Sequence, residues 1–308
     1  ESFSVISRGL PRVGYSSDSS PVSHRLYQMK GLNELKFSWN TFAERDAMGA
    51  VLTGNDWDES SFYDSGQAEV DSLMEEISHV YPELTKEHAL DFGCGLGRLS
   101  FALKPHFGRV TGVDISSRMI AQAAANPRYS EGVEFLLNES ESLEKIPSES
   151  IDFLLSLIVL QHIPKKFIKG YLSEFLRVTK PGGLIVFQIP TRKIGPVKKE
   201  IYWEGRPLNW DSPSLGKFCY RAVTRFFRWI PRKIREIALR NEWLHPVLFF
   251  WKRWDGEPLM QMNTMKKTSL EKFLTRNGGA ILCSKRDLAA GETIESYTFF
   301  VKKENLAR

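Results

Sequence analysis

The sequence predicts an α/β protein: a doubly wound, mostly parallel seven-stranded sheet with an antiparallel last strand, N-terminal helices, and a helical cap insert after strand five. Three observations carry this. Short strand-like runs alternate with helical patterns between residues 88 and 190. Those runs are almost continuously apolar, as in a parallel sheet covered on both faces. Two further runs near residue 300 follow one another with no helix between them, which requires an antiparallel pair.

The elements follow in chain order. "NELKFSWNTFAERDAMGAV" (33–51) has helical apolar spacing, and "QAEVDSLMEEISHVY" (67–81) places Val70, Leu73, Met74 and Ile77 on one face. "HALDF" is a strand, "GRLSFALKPHF" a helix, "GRVTGVD" a strand, and "SSRMIAQAAAN" a helix opened by a serine cap. "VEFLL" and "SIDFLLSL" are strands, "KKFIKGYLSEFLRVT" is a helix stopped by Pro181, and "GLIVFQI" is the fifth strand. After Pro190 the alternation breaks for some seventy-five residues. It resumes with helix "SLEKFLTRNGG" and strands "AILCSKRD" and "ESYTFFVKK".

Composition narrows the class. The 308 residues are 42% hydrophobic and 26% charged, with a formal charge of +5, an ordinary globular balance. Cys94, Cys219 and Cys283 form no disulfide framework and no zinc spacing, and the six histidines are scattered, so no metal is expected. That cysteine usage favours a reducing, cytoplasmic setting. No apolar run is long enough to span a bilayer. The first 32 residues, Ser-rich and without the long apolar stretch of a signal peptide, read as a flexible tail.

Chemistry concentrates at Leu90–Leu99, "LDFGCGLGRL", where Gly93, Gly95 and Gly97 turn the first core strand into its helix. That turn lies at the carboxyl edge of the sheet, where such folds bind ligands, and a helix N-terminus there favours an anion. Asp114 ends the next strand at the spacing where a carboxylate meets ribose hydroxyls, so an adenosine-containing cofactor is expected. A dinucleotide fingerprint would place glycine where Arg98 stands, and the paired terminal strands also argue against a nicotinamide dehydrogenase.

Four ordered segments resemble the class I (Rossmann-like) S-adenosylmethionine-dependent methyltransferases: "ALDFGCGLGRLS", "VTGVDISSRMI", "NESESL" before "IPSESIDFLLS", and "LRVTKPGGLIVFQI". "ESYTFFVKK" fits that family's antiparallel seventh strand. The resemblance implies S-adenosyl-L-methionine as cofactor. Gly93, Cys94, Gly95 and Gly97 would line its methionine half, with Asp91 orienting the ammonium. Asp114 would take the ribose hydroxyls, Ile115 and Met119 would pack near adenine, and Glu139 and Ser140 would read the adenine edge. Leu157, after strand four, joins the cofactor set. Cys94 reads as a small loop filler rather than a nucleophile.

"SLIVLQHIP" (156–164) falls where the family places groups near the transferring methyl. His162 is the candidate general base, a cofactor contact or a helix-opening hydrogen bond being the alternative; Gln161 reads as polar lining. The stretch lacks both the Asn/Asp-Pro-Pro-aromatic motif of exocyclic-amine base methylases and the Pro-Cys nucleophile of RNA cytosine methylases. Nucleic acid is therefore not an expected partner.

Within Lys217–Trp254 ten Lys/Arg face two Glu, and Arg221, Arg225, Arg228, Arg232 and Arg235 recur at helical steps opposite Val223, Phe226, Phe227, Ile230, Ile234 and Ile237. This basic insert reads as a solvated cap helix, a lid over an anionic acceptor, or a face for peripheral membrane contact. The expected organisation is a tail (1–32), an N-terminal helical cap segment (33–85), a cofactor-binding core (86–190), the insert (191–266) and the C-terminal part of the core (267–308). The expected function is methyl transfer to an oxygen or nitrogen of a small molecule. The alternatives are a lipid or isoprenoid acceptor at a membrane surface, and a non-catalytic S-adenosylmethionine-binding module. Oligomeric state is open.

Overall fold

The computed structural model describes residues 31–52, 57–129, 131–194, 202–203, 206–207, 258, 260–287, 289–291 and 293–305. Helices α1 (Leu32–Arg45), α2 (Ala47–Val51) and α3 (Glu59–Val80) precede β1 (His88–Phe92), α4 (Arg98–Leu103), β2 (Arg109–Asp114), α5 (Ser117–Ala124) and β3 (Val133–Leu137). Then come β4 (Ile151–Ser156), α6 (Lys165–Val178), β5 (Thr179–Lys193), the short pair β6 (Tyr202–Trp203) and β7 (Arg206–Pro207), α7 (Lys267–Arg276), β8 (Gly279–Asp287) and β9 (Ile294–Lys303).

Seven strands form one sheet in the order β3-β2-β1-β4-β5-β9-β8. The first five are parallel, and β9 runs antiparallel to both β5 and β8. Every residue of β1 and β4 is buried, which explains runs that are mostly apolar on both faces rather than alternating, with the polar His88, Asp91, Asp152 and Ser156 buried among them. Leu90, Phe92, Leu154, Ile185, Phe187, Phe299 and Val301 pack on one side with Ile168, Tyr171, Leu172 and Phe175 of α6. Ala89, Val110, Phe153, Leu155, Val186 and Phe300 pack on the other with Val70, Met74 and Ile77 of α3 and Leu99 and Leu103 of α4.

At the edge of the sheet where β1 begins, His88 is buried. Its Nε2 meets Thr111 Oγ1 at 2.9 Å and its Nδ1 lies 2.8 Å from Arg109 Nη2. Burial, aided by the Arg109 charge, lowers its pKa to about 4.

Three boundaries differ from the sequence reading. The helix expected over 33–51 breaks at Asp46, whose backbone leaves the helical region and whose Oδ1 accepts the Gly49 N–H at 2.9 Å to cap α2. An internal cap of this kind does not disturb apolar periodicity, so the pattern ran through it. The second helix begins at Glu59, not Gln67, because Asp58 caps it by accepting the Ser61 N–H at 2.9 Å. The fifth strand extends from Thr179 to Lys193, carried past Pro190 by an irregularity in its pairing with β9.

Of the expected helical insert, the described residues show the β6–β7 pair and the return segment from Met260; the basic stripe at 221–235 lies outside them, as do residues 1–30 of the tail. Among the described residues no helix is long and apolar enough to cross a membrane, and no cluster of His, Cys, Asp or Glu is arranged to hold a metal ion.

Candidate functional site

The β1–α4 turn is fastened to β2 before any ligand is considered. Gly93 and Cys94 both donate their N–H to the Val113 carbonyl, at 2.7 and 3.1 Å. Gly93 has φ +82°, and a Cβ there would lie 2.3 Å from Val159 Cγ2, so this position requires glycine both for its conformation and for the loop after β4 packed against it. Gly97 caps α4 in the left-handed region, where a Cβ would strike Phe135 at 2.7 Å.

One cavity opens beside this turn. It is lined by Asp91, Gly93, Cys94 and Gly95 from the turn, Asp114 and Ile115 from the end of β2, Asn138 after β3, Leu157, Ile158, Val159 and His162 after β4, and Leu35, Trp39, Val51 and Leu52 from the N-terminal helices. Eight of the residues singled out in the sequence therefore converge: Asp91, Gly93, Cys94, Gly95, Asp114, Ile115, Leu157 and His162.

The other four sit elsewhere. Gly97 packs on Phe101 and Phe135. Met119 is buried with Ala43, Phe62, Tyr63 and Leu96, where the N-terminal helices meet the glycine turn. Glu139 points to the surface and pairs with Lys36 at 2.6 Å. Ser140 turns its carbonyl to the Tyr171 hydroxyl (2.7 Å) and its own hydroxyl to Ser142.

The polar residue that β3 delivers to the cavity is Asn138. Its N–H donates to the Asp114 carbonyl at 2.8 Å and its side-chain amide to Ser140 O at 3.2 Å. Of the stretch after β3, the cavity is lined by Asn138 and not by the Glu139 and Ser140 that the sequence offered for the adenine edge, and Trp39 of the N-terminal segment forms part of the same wall.

Electrostatics follow from burial. Asp91 is almost wholly buried and accepts the Ser100 hydroxyl at 2.6 Å. Desolvation nevertheless raises its pKa to about 6, against the pull of Ser100 and Arg98. Asp114 accepts the Gly95 N–H at 2.9 Å and the Ser116 N–H at 2.7 Å, and burial still pushes its carboxyl above the ordinary value. Burial, reinforced by Asp114 and Asp91, holds the Cys94 thiol well above its usual range, so it stays protonated, as a loop filler would. Arg98 reaches back to α3, with Nη2 on Glu69 at 2.6 Å and Nη1 on the Ser65 hydroxyl at 3.2 Å.

His162 is 5% exposed, and its ring meets Trp39 edge-on at 5.4 Å. Nδ1 lies 2.7 Å from the Gln261 carbonyl, which makes Nδ1 the donor and leaves Nε2 as the unprotonated nitrogen, 3.2 Å from the Gln161 amide. Burial lowers its pKa to about 4, so the ring is neutral at neutral pH. Ile158 has φ +59°, a strained conformation for a β-branched residue, in the segment between β4 and His162.

Residues 90–187, which carry the glycine turn, Asp114, Asn138 and His162, match the family model described as a methyltransferase domain. The core is a class I S-adenosylmethionine-dependent methyltransferase domain. The methyltransferase core is 27% identical over 150 residues to a probable S-adenosylmethionine-dependent methyltransferase of Saccharomyces cerevisiae, covering 48% of this chain and 50% of that protein. It is 31% identical over 120 residues to a malonyl-[acyl-carrier protein] O-methyltransferase of Yersinia pestis, covering 38% and 43%. The chain thus spans half or less of the length of these relatives.

Among solved structures, the magnesium protoporphyrin IX methyltransferase of Synechocystis PCC 6803 with bound S-adenosylhomocysteine superposes with a TM-score of 0.52 at 16% identity, over 88% of this chain and 99% of that one. That likeness is one of fold. The cofactor of the methyltransferase domain is S-adenosylmethionine. The donor set suits it: a buried carboxylate beside the glycine turn, a second at the end of β2, and an aromatic wall.

Proposed function

We propose that this chain transfers a methyl group from S-adenosylmethionine to an oxygen or nitrogen of a small-molecule acceptor. The observation that carries the reading is the convergence, in one cavity, of the glycine turn, the Asp114 carboxylate and His162. Asp91, ionised when an ammonium lies beside it, suits the amino-acid end of the cofactor; Asp114 suits the ribose; Ile115 and Asn138 suit the adenine. Leu157, Val159 and Trp39 form the apolar wall that keeps water from the reacting centre.

When bound, the cofactor supplies an electrophilic methyl on a sulfonium. What the chain adds is in-line placement of the acceptor and a dry cavity. His162 is the candidate base, acting through Nε2. A nitrogen whose pKa is about 4 holds a proton weakly, which favours an acceptor whose own proton is readily lost.

A second reading keeps the chemistry and moves the acceptor to a membrane surface, as a lipid or isoprenoid. The basic, aromatic sequence of Lys217–Trp254 favours it. Supplying methyl-labelled S-adenosylmethionine to a metabolite extract, with mass identification of the labelled product, tests the first reading; no labelled product from a folded, cofactor-binding chain would leave a binding module. Reversing Arg221, Arg225 and Arg228 to Glu separates the two acceptors. Cofactor affinity should stay within about threefold, and loss of flotation with anionic vesicles would select the membrane surface.

A further inference from the structure

Two residues in the return segment of the insert, Gln261 and Asn263, are tied to three consecutive residues after β4, Gln161, His162 and Ile163. The Gln261 carbonyl accepts from His162 Nδ1 at 2.7 Å. The Asn263 N–H donates to the Gln161 carbonyl at 2.7 Å. The Asn263 side-chain amide donates to the Ile163 carbonyl at 2.9 Å. Two residues on, the Met265 N–H reaches the Pro190 carbonyl at 2.9 Å and fixes the same strap to the end of β5.

Asn263 thus grips the chain on both sides of His162, through one backbone and one side-chain donor, and both residues are buried. We infer that Asn263 is a positioning residue for methyl transfer, holding the strap so that the Gln261 carbonyl keeps His162 in the Nδ1–H tautomer at the cavity wall. The inference rests on the methyl-transfer reading for its catalytic meaning, while the grip itself stands on geometry alone.

The residue type follows from the chemistry. Both partners are carbonyl oxygens, so the side chain at 263 must donate. Aspartate has the same shape and nothing to donate, and its carboxylate would face the Ile163 oxygen. Serine is too short to span the gap, and glutamine carries its amide one methylene farther. Without the side-chain donor the strap is held only through the Asn263 and Met265 backbone N–H groups, with nothing fixing it at Ile163, and the Gln261 carbonyl is then held less firmly on Nδ1. The tautomer matters because it makes Nε2, which takes the Gln161 amide at 3.2 Å in the protein alone, the accepting nitrogen of the ring, and the hydrogen bond on the other nitrogen fixes that choice.

The test uses the full chain labelled with ¹⁵N-histidine and saturated with S-adenosylhomocysteine, the His162 signals being assigned by their absence in His162→Gln. In the wild type, His162 should show a protonated Nδ1 and an unprotonated Nε2. In Asn263→Asp that pattern should give way to mixed tautomers. S-adenosylmethionine affinity by calorimetry should stay within threefold, while label transfer into the extract pool methylated by the wild type falls at least tenfold, in kcat rather than KM.

A wild-type tautomer pattern in Asn263→Asp, or a cofactor affinity that falls in step with transfer, would overturn the inference. Should the buried carboxylate prevent folding, Asn263→Ala carries the same readouts without adding charge. A wild type that binds no cofactor defeats the functional reading instead, and the tautomer comparison on the unliganded protein still decides whether Asn263 holds His162.

Discussion

Asp114→Ala removes an acceptor that serves two purposes. In the protein alone its carboxylate takes the Gly95 N–H at 2.9 Å and the Ser116 N–H at 2.7 Å, tying the glycine turn to the start of α5. Hydrogen bonds to a charged group contribute about 1.5–3 kcal/mol each. Asp114 is half-buried, and its raised pKa shows that the carboxylate already bears a desolvation cost, which offsets part of that loss. The expected loss of stability is therefore about 1–3 kcal/mol, small enough for the domain to stay folded.

Cofactor affinity should fall further. A single charge-assisted bond to a ribose hydroxyl, at about 1.5 kcal/mol, already exceeds the 1.4 kcal/mol that makes a factor of ten. Calorimetric titration of S-adenosylmethionine into both proteins, alongside urea unfolding, separates the two effects. Unchanged affinity in a variant that unfolds as the wild type does would refute the reasoning, because neither the turn nor the ribose would then depend on this carboxylate.

Gly93→Ala should cost about 1–3 kcal/mol by urea unfolding and abolish cofactor binding, since its backbone is left-handed and its Cβ would overlap Val159. Asn138→Ala should weaken S-adenosylmethionine about fivefold by calorimetry, the size of one neutral hydrogen bond, while Glu139→Ala stays within twofold because its partner Lys36 is at the surface. His88 and His162 stay neutral in the fold down to about pH 4, against an ordinary value of 6.5. The unfolded chain therefore binds more protons between those limits, and each ring removes up to about 3 kcal/mol as pH falls through that window. Asp91, raised from 3.8 to about 6, acts in the opposite sense, because the native state keeps its proton over much of the same range. His88→Gln should accordingly show a shallower decline in urea midpoint between pH 7 and 4.5 than the wild type, and an equal decline would count against the assigned burial of His88.

Much of the site was legible because chemistry and topology share an address. The apolar run His88–Phe92 ends where glycines begin, and Asp114 and "SLIVLQHIP" end their own strands, so all three meet at one sheet edge in the observed fold. What stayed hidden depends on bonds between distant segments. Asn138 takes its place because its N–H pairs with the Asp114 carbonyl, and nothing local separates that register from one placing Glu139 inward. Gly97 and Met119 were taken by aromatic packing from Phe101, Phe135, Phe62 and Tyr63, which motif spacing does not encode. The grip on His162 joins residues 99 positions apart and leaves no periodic trace.

The placement of β9 between β5 and β8 has a consequence for how the molecule forms. Thr191 meets Glu295 across 104 residues of chain, so the outer edge of β5 stays unpaired until a distant strand slides in alongside it. Each doubling of the intervening chain adds only about 0.6 kcal/mol of closure entropy, so the finished fold tolerates a long excursion there. During assembly the balance reverses. The apolar edge Leu184–Ile189 is a template for any passing strand, and non-local pairing is slow to arrive. A lengthened excursion would thus leave the mature protein nearly as stable while widening the interval in which nascent chains can stick to one another.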